Sequence, residues 1–239
     1  MVLNFAHRGS LTEAPENTVL AMKKALAHDI QGIELDVQLT KDDRLVLIHD
    51  HHVRRFNQTI KGTVRDYTLA ELKQIDIGSS FSEKFAQERL ATLEEVLKII
   101  PKNIILNIEI KNAPVIYENI ETILLACLHQ YERMENIIIS SFDHQKLVNI
   151  QQKEPTIPIG LLLKQRILKP WQYAQTSGLN VYSVHPDKIH VDQEYIANCH
   201  HAGYKVYPYT VNDIATYEQF VSWGIDGVFS NNPAIFSKK

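Results

Sequence analysis

The chain has 239 residues, 44% of them apolar and 22% charged, with a formal net charge of −3 at neutral pH. That length fits two small domains or one α/β barrel of ~250 residues, and the slight acidity leaves no general basic footprint for nucleic acid. Cys127 and Cys199 lie far apart with no CxxC, which suggests neither a disulfide framework nor a cysteine-based zinc cluster.

Taken in chain order, short apolar runs predict strands near 2–6, 32–38, 104–110, 136–141, 157–162, 180–184, 204–209 and 225–229. Amphipathic stretches separate most of them, among them "PENTVLAMKKALAHD" (15–29), "TLEEVLKII" (92–100) and "VIYENIETILLACLHQY" (115–131). In the first, Pro15 sits near a helix start and Val19, Met22 and Leu26 share one stripe. Strands alternating with helices predict a parallel sheet, and eight such units predict a closed TIM-type barrel. The opening "MVLNFAHRG" has no basic region followed by a long apolar core. No apolar run approaches the ~20 residues of a membrane span, so a cytoplasmic protein without a membrane anchor is expected.

One segment breaks the rhythm. "RLVLIHD" (44–50) follows the second strand after only "KDD", too short for a parallel crossover, and is therefore expected to fold back antiparallel as a hairpin partner. A two-residue loop at Asp42-Asp43 would set Asp36 opposite His49 on one side of the ribbon. Residues 50–91 are expected to form a small insertion capping one barrel end, within a single domain spanning 1–239.

The chemistry gathers on three strands. Alternation places Glu34 and Asp36 on one face of the second strand, and Asn107, Glu109 and Lys111 on one face of "NIILNIEIK" (103–111). The first strand ends in "AHRG", with His7 and Arg8 at its C-terminal edge, where barrel active sites lie. Three carboxylates close together raise one another's pKa and cost stability unless a cation sits between them. Oxygen donors without cysteine favour Mg²⁺ or Ca²⁺ over zinc. With Arg8 and Lys111 added, the rim suits an anionic group, and His7 and His49 could act as general acid and base on either side of it. Each piece has a blander reading: a solvated hairpin face for Glu34 and Asp36, a surface ion pair for Glu109 and Lys111, a helix start for "PENT". One site accounts for all of them together.

These stretches resemble the glycerophosphodiester phosphodiesterase family. The resemblance rests on "AHRG" with "APENT", "IELDVQLTKD" running to "VLIHD", and "LNIEIK", with weaker matches at "SSFD" (140–143), "YTVND" (209–213) and "GVFSNNP" (227–233). It implies a TIM-type barrel that hydrolyses small-molecule glycerophosphodiesters to sn-glycerol 3-phosphate and an alcohol with a bound divalent cation. By position it makes Glu34, Asp36 and Glu109 the metal ligands, His7 and His49 the acid/base pair, Arg8 and Lys111 the phosphate clamp, and Tyr209 a wall against the glycerol. Tyr209 stands where the family commonly has tryptophan, Asn231 where an aspartate is usual, and "GSSF" (78–81) lacks the tryptophan often found there. None of these departures is expected to touch the metal or histidine positions. The rivals are a phospholipase D-like or phosphoinositide-cleaving barrel, which would need an apolar or basic docking surface beside the rim, and a non-enzymatic binding protein on the same barrel. Within 50–91 only "RRF" (54–56) hints at such a surface.

Overall fold

A computed structural model describes residues 1–236, so the last three positions of the expected 1–239 span lie outside the described residues. Nine strands form one sheet: β1 (Leu3–His7), β2 (Gly32–Leu39), β3 (Leu45–Leu47), β4 (Ile105–Ile110), β5 (Ile137–Ser141), β6 (Ile159–Leu163), β7 (Val181–Pro186), β8 (Lys205–Val206) and β9 (Gly227–Ser230). All but β3 are parallel and run in the order β8-β7-β6-β5-β4-β2-β1-β9, while β3 pairs antiparallel with β2. The helices are α1 (Val19–Ala25), α2 (Leu69–Leu72), α3 (Leu93–Leu97), α4 (Ile120–Gln130), α5 (His144–Lys153), α6 (Pro170–Thr176), α7 (Gln193–His201) and α8 (Ile214–Ser222). The architecture is a nearly closed TIM barrel with one added hairpin strand.

Alternation along the strands divides two kinds of packing. Leu35, Val37, Ile108, Ile139, Leu161 and Val184 face outward into a continuous apolar layer shared with Met22 of α1, Leu124 of α4 and Leu147 of α5. The barrel interior holds a smaller cluster of Phe5, Ile138, Tyr207 and Phe229. Gly32 is part of that interior fit, since a Cβ there would lie 2.3 Å from the Phe5 ring. No helix among the described residues is long and apolar enough to cross a membrane.

Several expected boundaries shift for local reasons. The helix expected over 15–29 begins only at Val19, because Asn17 adopts a positive φ of 57° and Thr18 caps Ala21 N–H at 3.0 Å. The strand expected over 204–209 is regular only at Lys205–Val206. Pro208 has no N–H to give a ladder, but its carbonyl accepts from Phe229 N–H at 3.0 Å, and Val211 N–H bonds Phe229 O at 2.9 Å.

The hairpin register is a correction. Val37 pairs with Leu47 and Leu39 with Leu45, one residue away from the register that a two-residue loop would give. Thr40 N–H bonds Arg44 O at 3.0 Å, so Lys41, Asp42 and Asp43 form a three-residue loop. Asp43 takes the left-handed position at φ 56°, which aspartate tolerates, and Thr40 Oγ1 ties Asp42 at 2.6 Å and Arg44 N–H at 2.9 Å. Asp36 consequently lies opposite Ile48, whose N–H it accepts at 3.2 Å, and not opposite His49. In the segment after β3, Val53, Val64, Leu72, Ile75, Ile77 and Leu90 pack with Val46 and Ile48 into a separate apolar cluster, and the chain returns to β3 where Leu47 N–H bonds Ala91 O at 2.8 Å.

The seam between β8 and β9 has a polar staple at its N-terminal end. Asp226 accepts from Lys205 Nζ at 2.8 Å, His200 Nε2 at 2.7 Å and Val206 N–H at 3.0 Å. Burial pushes its pKa up, but these donors outweigh burial and hold it below the usual carboxylate value. A depressed folded-state pKa contributes stability that is present above the unfolded carboxylate pKa and is lost as pH falls. Asp226→Asn is therefore expected to cost about 1–2 kcal/mol at pH 7, with the difference from the parent protein closing towards pH 3; urea unfolding at both pH values measures it.

Candidate active site

Strand register assembles the site. His7 of β1 lies beside Glu34 of β2, and Asp36 of β2 lies beside Glu109 of β4, all on the inner face near the C-terminal ends. The three carboxylates each offer an oxygen within 4.8 Å of the others, and all three are buried. Lys111 Nζ is 2.6 Å from Glu109 Oε1 and 3.3 Å from Asp36 Oδ1, while Arg8 Nε is 3.1 Å from Asp36 Oδ2. Burial, with Asp36 and Glu109 nearby, pushes the Glu34 carboxyl well above its usual range. Glu109 is likewise raised, by burial first and Asp36 next, with Lys111 opposing. Asp36 moves the other way: burial would raise it, but Lys111 and Arg8 together hold it below the ordinary aspartate value. Two cationic side chains thus answer three acids incompletely.

That imbalance bears on a cation. Glu34 Oε1 is buried and has no hydrogen-bond partner. An unpartnered carboxylate oxygen beside two further acids, with no thiol or imidazole in the set, fits a hard divalent ion such as Mg²⁺ or Ca²⁺. Glu34, Asp36 and Glu109 are the residues that could hold it.

The imidazoles flank this cluster. His7 Nε2 is 3.9 Å from Glu34 Oε2, and its Nδ1 is 2.6 Å from Asn231 Oδ1. An amide oxygen only accepts, so Nδ1 carries the proton and Nε2 presents a lone pair towards the cluster. Burial and the adjacent Arg8 push the His7 pKa down to about 3, keeping the ring neutral. His49 reaches the same cavity through a bend after β3 ends, and not through strand pairing; its Nδ1 bonds Asp50 Oδ1 at 2.8 Å. Seven of the expected residues, His7, Arg8, Glu34, His49, Glu109, Lys111 and Tyr209, line one cavity of about 460 Å³. Asp36 lies beneath them, fully buried. Tyr209 forms one wall with Phe142, their rings edge to face at 6.0 Å.

Sequence patterning missed several supporting residues. Asn17, read as part of a helix start, donates to Asp36 Oδ2 at 2.8 Å and accepts Asp36 N–H at 3.3 Å. Glu16 pairs with both Arg8 and Arg55, and Arg55 also approaches Asp50, so the "RRF" segment belongs to an ion-pair chain running to His49. Asn231, read from the sequence only as a departure from the usual aspartate, holds His7. Asn17 sits in a turn at φ 57°, which by itself accounts for an asparagine there, so "APENT" gave no separate sign of its bond to Asp36. For Asn231 no spacing gave a signal, because its partner lies 224 positions away.

Residues 7–235 match the glycerophosphoryl diester phosphodiesterase family. A curated glycerophosphodiester phosphodiesterase of Caldanaerobacter subterraneus subsp. tengcongensis is 41% identical over 232 residues, covering 97% of this chain and 94% of the relative. One of Bacillus subtilis is 33% identical over 253 residues, covering 99% and 86%. Among solved structures, an Oleispira antarctica phosphodiesterase in complex with the product sn-glycerol-3-phosphate superposes with a TM-score of 0.89 at 31% identity, over 97% of this chain and 94% of that one. The fold and site define a phosphodiesterase on a TIM-type barrel. The chain belongs to the glycerophosphoryl diester phosphodiesterase family.

The cavity floor is tightly filled. A Cβ on Gly160 would lie 2.5 Å from His185 Cε1, and the His185 ring is held by Ser183 Oγ at 2.8 Å and packed against Phe229 with centroids 5.1 Å apart. Gly160→Ala is expected to cost about 1–3 kcal/mol through this overpacking, read as a lower urea midpoint with an unchanged slope.

Proposed function

We propose that the chain hydrolyses glycerophosphodiesters to sn-glycerol 3-phosphate and an alcohol. The observation that carries this reading is the meeting of three acids from β2 and β4 with two imidazoles, Arg8 and Lys111 at one barrel mouth. The named activity of the curated relatives and the product in the Oleispira antarctica structure supply the substrate class.

Glu34, Asp36 and Glu109 would hold one divalent cation, Mg²⁺ or Ca²⁺, whose charge would polarise the phosphate and stabilise the negative charge that builds up on it. Arg8 and Lys111 clamp the non-bridging oxygens, adding fixed positive charge where the transition state needs it. His7, with Nδ1–H committed to Asn231, removes a proton through Nε2 from the attacking oxygen. His49, held by Asp50, returns a proton to the departing alkoxide as the P–O bond breaks. The Tyr209–Phe142 wall packs the carbon skeleton of the glycerol or alcohol.

His7→Ala and His49→Ala are each expected to lower turnover by ~10²-fold or more with unfolding midpoints near that of the parent, assayed as released glycerol 3-phosphate from a panel of glycerophosphodiesters. Parental rates in both variants would overturn the histidine assignment. Chelation should abolish release, and Mg²⁺ or Ca²⁺ at about 100 times its Kd should stabilise the parent by about 2.7 kcal/mol while leaving Glu109→Gln little changed. Chelator-insensitive release would remove the cation from the reaction.

A further inference from the structure

From Pro155 to Pro186 the chain contains no aspartate or glutamate. The three exposed cations of that stretch, Lys164, Arg166 and Lys169, fall within the six-residue loop "KQRILK" that joins β6 to α6. All six residues are exposed, and none of the three cations forms an ion pair among the described residues. Between them stand Ile167 and Leu168, the latter 87% exposed. A neighbouring turn after β7 adds Ile189, 74% exposed, and is tied to the loop by a contact of 3.2 Å between His190 Nε2 and Lys164 O. Two large aliphatic side chains so fully in water, ringed by unpaired cations, form a mixed surface unlike an ordinary solvated loop.

Its place in the fold gives this surface a direction. Lys164 and Lys188 also line the candidate catalytic cavity, so the patch borders the cavity mouth on the side opposite the β2–β3 hairpin. The nearby acids are largely committed: Asp187 caps Ile189 N–H at 3.1 Å, Asp192 caps Tyr195 N–H at 2.7 Å, and Asp213 faces Lys188 at 3.8 Å. Among the described residues, Glu194 on α7 remains the one uncommitted carboxylate lining the groove beside the loop. The net positive charge of the loop contrasts with the −3 of the whole chain.

We propose that the 164–169 loop, with Ile189, docks the barrel mouth on an anionic lipid surface. Basic side chains attract the head groups, and the short apolar tip of Ile167, Leu168 and Ile189 enters the interfacial layer, the pairing of forces that reversible peripheral attachment requires. An acidic protein partner would meet the cations but leave Leu168 and Ile189 in water. A purely apolar partner would leave the cations unanswered. The proposal concerns location and is independent of the proposed hydrolysis.

Sedimentation with vesicles of phosphatidylglycerol and phosphatidylcholine in equal parts, against phosphatidylcholine alone, tests it. The parent chain is expected to bind the anionic vesicles only, and less at 500 mM than at 50 mM salt. Arg166→Gln with Lys169→Gln should weaken binding about 30-fold, from two basic side chains at the usual membrane-surface strength, and Leu168→Ser with Ile189→Ser should weaken it at either salt. Both double variants should keep the parental circular dichroism and the parental rate on any soluble glycerophosphodiester turned over by the parent. Failure of the parent to bind anionic vesicles at low salt overturns the proposal, as does undiminished binding by both variants. A concentration-dependent dimer that Leu168→Ser abolishes, without vesicle binding, assigns the patch to a second copy and also overturns it.

Discussion

Three carboxylates confined within 4.8 Å of one another set the terms for the whole molecule. In a buried site such acids repel, lose hydration and shift upward in pKa, so an uncompensated cluster opposes folding. The strand register nevertheless forces them together, because Glu34 and Asp36 are fixed on one face of β2 and Glu109 is fixed beside Asp36 by the β2–β4 pairing. Arg8 and Lys111 offset part of that repulsion. The remainder is tolerated because the opposite faces of the same strands, Leu35, Val37 and Ile108, are completely buried in the outer apolar layer. Stability and chemistry thus occupy alternate residues of the same strands.

Precision at the cluster comes from neutral amides and from a chain of ion pairs. Asn17 grips Asp36 through both its side-chain groups, fixing which oxygen faces Lys111. Asn231 does the same for His7 and settles the tautomer without adding charge. On the other flank, Arg8, Glu16, Arg55 and Asp50 connect the end of β1 to the bend that carries His49. Those contacts run between the barrel and the segment after β3, so the position of His49 depends on a part of the chain with its own apolar cluster.

Strand count, barrel closure and the acids and bases of β1, β2 and β4 were legible because each follows from period-two alternation or from adjacency in sequence. Lys164, Asp187 and Lys188, which also line the cavity, sit in loops that carry no such pattern. Glu34 with Asp36, and Glu109 with Lys111, are local patterns. His49 was found for a reason that failed: pairing opposite Asp36 required a two-residue loop, whereas Thr40 and Asp43 make a three-residue one. The ring still reaches the cavity because the strand ends at Leu47 and the backbone bends. Asn231 was not legible, since nothing local marks a neutral amide as the partner of a histidine at the far end of the chain. Arg55, noticed only as part of "RRF", carried no local sign of its pairing with Glu16 and Asp50. The shortened β8 was foreseeable from Pro208, whose missing N–H forbids a regular ladder.

The barrel is chemically asymmetric, and the asymmetry follows from what a phosphodiester demands. The site's buried acids come from β2 and β4, next to His7 and Arg8 of β1 and the hairpin that carries His49. The inner faces of β5 to β9 instead contribute Ser140, Gly160, Leu162, His185 and Phe229. Among the described residues, charge reaches the cavity on that side only from the loops after β6 and β7, as Lys164, Asp187 and Lys188. A phosphate needs its countercharges contiguous, which adjacent strands provide and opposite strands, separated by a cavity of about 460 Å³, do not. With the buried carboxylates concentrated on one side, the inner faces of the other strands are free to shape the space for the organic part of a substrate. Tyr209 and Phe142 form its wall, and the exposed 164–169 loop stands at its outer edge. Substitutions across β5 to β9 can therefore retune what enters the mouth without disturbing the electrostatic balance that holds Glu34, Asp36 and Glu109 together.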